Sequence, residues 1–333
     1  MTPSDSRALM QRELNEQPTI LTAAARTLSE SAARLRPASD RPLWITGCGD
    51  SFYAGQALAH HFHLHGWDAR SVTAADLLFE AAIRPGDSVV GISISGGTRR
   101  TTEALQSAGR KGARTLAVTL RTDSALAQAA DAVLALPFTP ISRAIPHGLD
   151  YHVTLLALAA LAGTIDADDV EGLFVNDTLD ILEQARSVAT TLAQDARFFF
   201  LGGGPALGTA NYGAAKLHEA GGLPAWSFEA ESFGHGAHLM LRPGDHVVLC
   251  GAGGPTDART AALRPGLERL GVSVSQASLP PDRNALLTAL RAALCCQAFC
   301  LAIAERYDLD VADPSRGSDA AEVQRDWFGW TSA

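Results

Sequence analysis

Twice along this chain a short apolar run ends in glycines and then restarts as a helical pattern. No other feature limits the fold as much. In the first half, strands are expected at 42–46, 68–71, 87–93, 113–119 and 132–136, with helices at 52–65, 77–82, 98–111, 124–129 and 151–162. A helical connector over 177–193 follows, and the alternation begins again. Strands are expected at 197–201, 225–228, 246–250 and 272–277, with helices at 206–221, up to about 270, and 284–307. Strands separated by helices at this spacing build a parallel sheet covered on both faces. The reading is therefore α/β, with two subdomains of strand–glycine turn–helix layout related by an internal duplication. The expected organisation is N-terminal helices over 1–40, a first subdomain over 41–165, a connecting helix over 166–195, a second subdomain over 196–307 and an irregular tail over 308–333. Within the first segment, Pro18 is expected to divide two helices, 6–16 and 19–35, because proline lacks the amide a helix interior needs.

With 333 residues, 47% of them hydrophobic, the chain can build two sizeable cores. It carries 27 basic and 36 acidic residues, a net charge of −9, which argues against a nucleic-acid partner. There is no run of 18 apolar residues, and the first 12 residues are polar, so neither a membrane span nor a signal peptide is expected and the location is read as cytoplasmic. The five cysteines show no zinc-type spacing and read as thiols of a cytosolic protein. Only Lys111 and Lys216 are lysines, which leaves two candidate amines for any imine chemistry.

The turn Ser93-Ile94-Ser95-Gly96-Gly97-Thr98 ends a buried strand and opens a helix. Free amides and the positive dipole end of such a helix attract an anion, and Ser93, Ser95 and Thr98 add hydroxyl donors. An ordinary turn with a Ser or Thr cap has the same spelling. The matching turn after the first strand is Cys48-Gly49-Asp50-Ser51, where Ser51 faces the same crevice and Asp50 either meets a sugar hydroxyl or caps the helix. The second half offers Gly251-Ala-Gly-Gly-Pro-Thr256, which lacks the paired serines, so one phosphate site per chain is expected. Between Lys216 and Gly236 lie three acids and two histidines, among them Glu219 and His235. A carboxylate and an imidazole together suit proton transfer beside a carbonyl, although a solvated helix end and a loop histidine look the same in sequence. The cluster His60, His61, His63 and His65 has no acidic or cysteine neighbour, so no metal is expected, and no cofactor.

These segments together resemble the sugar isomerase (SIS) family of phosphosugar-binding proteins. They are most like the isomerase half of glucosamine-6-phosphate synthase and the stand-alone fructosamine-6-phosphate deglycases. The likeness runs from Met10-x-x-Glu13-x-x-Glu16-Gln-Pro18, through the two turns, to Gln297 and the tail Asp313-Pro-Ser-Arg-Gly317. It implies flavodoxin-like three-layer subdomains. In that group a catalytic Glu and His are spaced as Glu219 and His235 are, sixteen positions apart. By resemblance, Glu219 moves the proton between the first two sugar carbons and His235 assists ring opening or protonates the leaving group. The His comes from a neighbouring subunit, which implies a homodimer with a shared active site. Cys48, Gly49, Asp50 and Ser51 would contact the sugar, and Ser93, Ser95 and Thr98 its phosphate.

The departures narrow the reading. The family's C-terminal Schiff-base lysine has no counterpart in Arg316–Glu322, Gly148-Leu-Asp-Tyr151 replaces its Ala-Ser-Thr-Lys segment, and its phosphate-loop Glu is Gly97. There is no glutaminase segment. The expected function is enolization of a phosphorylated sugar or aminosugar by an isomerase, deaminase or deglycase. The alternative is a non-catalytic sugar-phosphate sensor or regulator.

Overall fold

The computed structural model describes residues 2–37, 40–163, 165–277, 284–313 and 319–329. It opens with α1 (Pro3–Ala33), then β1 (Leu43–Gly47), α2 (Asp50–Ala57), α3 (Ala59–Leu64), β2 (Ala69–Thr73), α4 (Ala74–Phe79), β3 (Ser88–Ile92), α5 (Arg99–Arg110), β4 (Arg114–Thr119), α6 (Ala125–Gln128) and β5 (Ala132–Ala135). Next come α7 (Leu149–Ala162), α8 (Ala167–Thr191), β6 (Phe198–Gly202), α9 (Ala206–Gly221), β7 (Ala225–Glu229) and α10 (Ala230–Gly234). The chain continues with β8 (His246–Cys250), α11 (Thr256–Ala261), α12 (Arg264–Arg269), β9 (Ser273–Ala277), α13 (Ala285–Arg306) and α14 (Ala320–Gly329).

All nine strands pair in parallel, in the orders β2-β1-β3-β4-β5 and β7-β6-β8-β9. The first four strands of each sheet thus share one order, as the duplication reading requires. β1 and β3 lie side by side with their connections leaving in opposite directions, and the crevice beyond their carboxyl ends is where open α/β sheets bind ligands. Side-chain alternation sorts the core. Leu43, Ile45, Val90 and Ile92 share one continuous core with Phe198, Phe200 and Val248 of the second sheet. Trp44 and Val89 face a separate outer cluster, and Phe199 and Val247 another. The shared layer contains α7, buried along its whole length, together with α1, α8, α9 and α13.

Every expected strand forms within two residues of its expected bounds. Five expectations fail. The helix expected over 52–65 is two, α2 and α3, which part at Leu58. Pro18 does not end a helix: α1 runs through it. The buried positions Met10, Leu14, Gln17, Leu21, Ala25, Leu28 and Ala32 keep helical spacing across the proline, and burial of that stripe outweighs the local penalty, about 3 kcal/mol. Within the connecting segment expected over 166–195, α8 begins ten residues before the helical pattern at 177, because Asp166 accepts from the amides of Asp168 and Asp169. The helix expected to run to about residue 270 is two short ones, α11 and α12, with Pro265 in the first turn of the second. The tail is not wholly irregular, since Ala320–Gly329 is helical; residues 314–318, including most of the Asp313–Gly317 tail motif, lie outside the described residues. One helix, α13, has the length and apolarity of a membrane span, but 83% of that window is buried within the fold.

The halves meet where α2 packs on α9. Gly208 makes that approach possible, since a Cβ there would lie 2.5 Å from the backbone of Tyr53 and Ala57. Asn211 Nδ2 donates to Gln56 Oε1 across the seam (2.9 Å).

Three buried histidines make the fold acid-sensitive. Burial pulls His246 down to about 3, and His152 and His61 down to about 4. Each is neutral when folded and takes up a proton when unfolded below its ordinary value. Between pH 6.5 and about 4 the unfolded chain therefore binds more protons, and stability falls as pH falls, by about 1.4 kcal/mol per pH unit per histidine. Denaturant titrations at pH 7 and pH 5 should show this loss, and His246→Asn should flatten the profile by one histidine's share. Equal stability at the two pH values would contradict the assignment.

Candidate active site

The turn after β3 is left open toward an anion. Ser93 Oγ and Thr98 Oγ1 are 2.8 Å apart, and Ser95 Oγ accepts from the Gly97 amide (3.2 Å). Thr98 precedes α5 in extended backbone, yet its side chain caps none of the helix amides. The ordinary capped-turn reading therefore does not describe this turn. The path depends on Gly96, which has φ +64°, and a Cβ there would overlap the side chain of Ser124. Gly97, where the family usually carries Glu, has open space around it, with only Ser95 Oγ at 3.6 Å.

The corresponding turn of the second half is already occupied by the chain's own anion. The Asp257 carboxylate accepts from the amides of Ala252 and Gly253 (3.0–3.1 Å). One open turn and one self-filled turn are the physical form of the expected asymmetry.

Beyond the carboxyl ends of β1 and β3 lies a cavity of about 260 Å³, a little below the usual range for ligand sites. Asp50, Ser51, Ser93, Ser95 and Thr98 line it, five of the residues singled out in the sequence. Cys48 and Gly49 do not. Cys48 Sγ reaches Thr101 Oγ1 on α5 (3.7 Å), and Gly49 is the residue before α2. Facing them are Arg143, His147, Asp150, Tyr151 and Thr154, which the sequence reading did not select. A signal for them existed. Asp150 and Tyr151 each lie three or four positions from both His147 and Thr154, so the four share a face at the start of an otherwise mostly apolar helix. The start of α7 is fixed from a distance by Glu13 of α1, whose Oε1 accepts from the amides of Gly148 and Leu149 (2.8 and 2.9 Å).

Behind Asp50 sits Lys216, only 2% exposed. Its ammonium donates to Asp50 Oδ2 (2.7 Å) and to Glu219 Oε2 (2.6 Å). Asp50 thus does not cap α2; Lys216 holds its Oδ2, and the residue still lines the cavity. Burial pulls the lysine down, but the two carboxylates outweigh it and hold the ammonium above its ordinary range. Burial also raises Glu219, against the pull of Lys216, and raises Asp150, against the pull of His147, whose Nδ1 is 3.3 Å from Asp150 Oδ2.

Glu219 and His235 do not meet in this chain. Glu219 is half-buried on α9 against Lys216, whereas the His235 side chain is 80% exposed and its nearest charged group is Glu231, at 4.0 Å. Among the described residues, no group of three or more His, Cys, Asp or Glu is placed to hold a metal ion, and His60, His61, His63 and His65 form none.

With an open anion turn at the switch point of a duplicated parallel α/β fold, the comparisons fall into place. Residues 38–162 match the family model of the SIS domain, and that part of the chain is an SIS domain. The chain is 26% identical to a glutamine–fructose-6-phosphate aminotransferase (isomerizing) of Caulobacter vibrioides, over 73% of this chain and 44% of that one. A shorter stretch of 68 residues, 20% of this chain and 22% of the other, is 53% identical to an N-acetylmuramic acid 6-phosphate etherase of Symbiobacterium thermophilum. The chain thus spans less than half the length of these curated relatives. The crystal structure of a glucosamine-6-phosphate deaminase from Thermotoga maritima shares the fold with a TM-score of 0.77 and 18% identity, covering 92% of this chain and 97% of that one.

The turn geometry gives a paired test. Gly96→Ala should cost roughly 1–3 kcal/mol of stability, the scale of backbone strain, and abolish binding of inorganic phosphate. Gly97→Ala should change stability by less than about 0.5 kcal/mol. Thermal melts and calorimetry read both, and a Gly96→Ala protein with native stability and phosphate affinity would contradict the turn assignment.

Proposed function

We propose that the chain is a phosphosugar-processing enzyme that acts by enolization on an aminosugar or ketosamine phosphate, as an isomerase, deaminase or deglycase. The observation that carries this reading is the uncapped start of α5, flanked by Ser93, Ser95 and Thr98, in one cavity with carboxylates and an imidazole. The phosphate would sit on the α5 amides and those hydroxyls, with Arg143 close by. The sugar chain would then run past Ser51 toward Asp50, Lys216 and Glu219.

Removing the proton beside a sugar carbonyl needs a placed base and a donor for the developing oxyanion. Glu219 is the proposed base. Lys216 fixes one of its oxygens, and among the described residues Glu219 Oε1 makes no hydrogen bond. A lysine kept protonated between two carboxylates is a poor nucleophile, so the reaction is proposed to run without an imine to the protein. His235, exposed between Gly234 and Gly236, is proposed to act as the acid on the site of a second copy in a cytoplasmic homodimer. The similarity of most of the chain to an isomerizing aminotransferase supports the reaction class.

Incubation with glucosamine 6-phosphate or fructosamine 6-phosphate, followed by assay of free ammonia or amino acid and of the sugar phosphate formed, tests the reading. Glu219→Gln should lower turnover about 10²-fold or more. Ser95→Ala should weaken substrate binding by about 1–3 kcal/mol. Full turnover in Glu219→Gln would exclude it as the base. Tight binding with no turnover of any phosphorylated aldose, ketose or ketosamine would favour the sensor reading instead.

A further inference from the structure

The α7 wall of the cavity carries a feature that phosphate binding and proton transfer leave unused. Tyr151 is 2% exposed and lines the cavity, and its hydroxyl has no hydrogen-bond partner among the described residues. Its ring is pinned by stacking on Tyr212, with centroids 3.8 Å apart, so the hydroxyl cannot swing away to find a partner. A buried hydroxyl without a partner is costly, and the residue that carries this one borders the cavity. Asp150, the preceding residue, is buried too and also lines the cavity. Among the described residues its one ion pair is with His147, while Arg143 and Lys216 act on it from farther off.

The charges around this spot do not balance. Asp50 and Glu219 share the single ammonium of Lys216, and Asp150 has an imidazole whose charge is optional. Lys216 lies behind Asp50 and is not among the lining residues, which include one permanent cation, the exposed Arg143, beside Ser93, Ser95 and Thr98. Once a phosphate dianion takes Arg143, three carboxylates face one permanent positive charge. Burial raises the carboxyls of Asp150 and Glu219, so a further cation beside them would favour their ionised forms. A neutral polyol would leave that deficit in place. A ligand nitrogen that carries a proton would fill it, donating to Asp150 and to the oxygen of Tyr151.

We propose that Asp150, the Tyr151 hydroxyl and Asp50 form a subsite for a basic nitrogen, and that it makes the chain select amine-bearing sugar phosphates over their hydroxyl counterparts. The proposal rests on the phosphosugar reading above and adds to it the residues that set the substrate class.

Calorimetry with three probes tests it: 2-amino-2-deoxyglucitol 6-phosphate, glucitol 6-phosphate and inorganic phosphate. Both polyols lack a carbonyl, so neither can be turned over. The native chain should bind the amino polyol about tenfold or more tightly than glucitol 6-phosphate, the scale of one charge-assisted hydrogen bond. Asp150→Asn, nearly isosteric, should bring the two within about threefold by weakening the amino polyol alone. Tyr151→Phe should narrow the ratio in the same direction. Equal binding of the two polyols by the native chain, alongside measurable phosphate binding, would overturn the subsite and leave the phosphosugar reading intact. An unchanged ratio in both variants would also overturn it. If no probe binds, the phosphosugar reading itself falls and the subsite with it.

Discussion

The site is held together by one buried ammonium. Lys216 belongs to the second half of the chain, as does Glu219, and Asp50 belongs to the first. A charge with 2% exposure is tolerated because both carboxylates meet it, and removing Lys216 would leave two acids facing each other without their cation. This pairing demands that α2 and α9 lie close, which the missing side chain at Gly208 permits. The interaction that places the proposed base is therefore also the one that joins the duplicated halves.

The duplication left two similar turns with opposite chemistry. In the second half, Asp257 supplies a carboxylate to the amides of its own turn, which closes that turn to an outside anion. In the first half no side chain caps the amides that open α5. The open turn lies over β1 and β3, where the connections diverge. It lies beside α7, whose polar first turn supplies the facing wall. Glu13 of α1 caps that turn through its buried carboxylate, and Gln297 of α13 donates to the Gly148 carbonyl (3.1 Å). Helices α1 and α13 thus brace the wall without lining the cavity.

Much of this was legible in the sequence because it is local. The central strands are fully buried runs such as Phe198–Gly202 and His246–Cys250, bounded by glycines, and such runs announce themselves. The Ser93–Thr98 turn was readable for the same reason. Hidden features depend on distant partners. Nothing near Pro18 says that the helix face continues to be buried on α7 and α8. Asp50 reads as a cap until Lys216, 166 positions away, is seen to take it. The α7 residues are hard to see in sequence because Gly148–Tyr151 reads first as a departure from a family pattern. The pairing of Glu219 with His235 came from resemblance; within one chain the two face different neighbours.

A crystal structure of the chain with glucitol 6-phosphate would test the central claim, that the first half's open turn is the ligand site, most directly. The account predicts the phosphate on the amides that open α5, within hydrogen-bond reach of Ser93, Ser95 or Thr98, and the carbon chain directed toward Asp50 and Glu219. A phosphate bound instead at the second half's Gly251–Thr256 turn, displacing Asp257 from its amides, would contradict it.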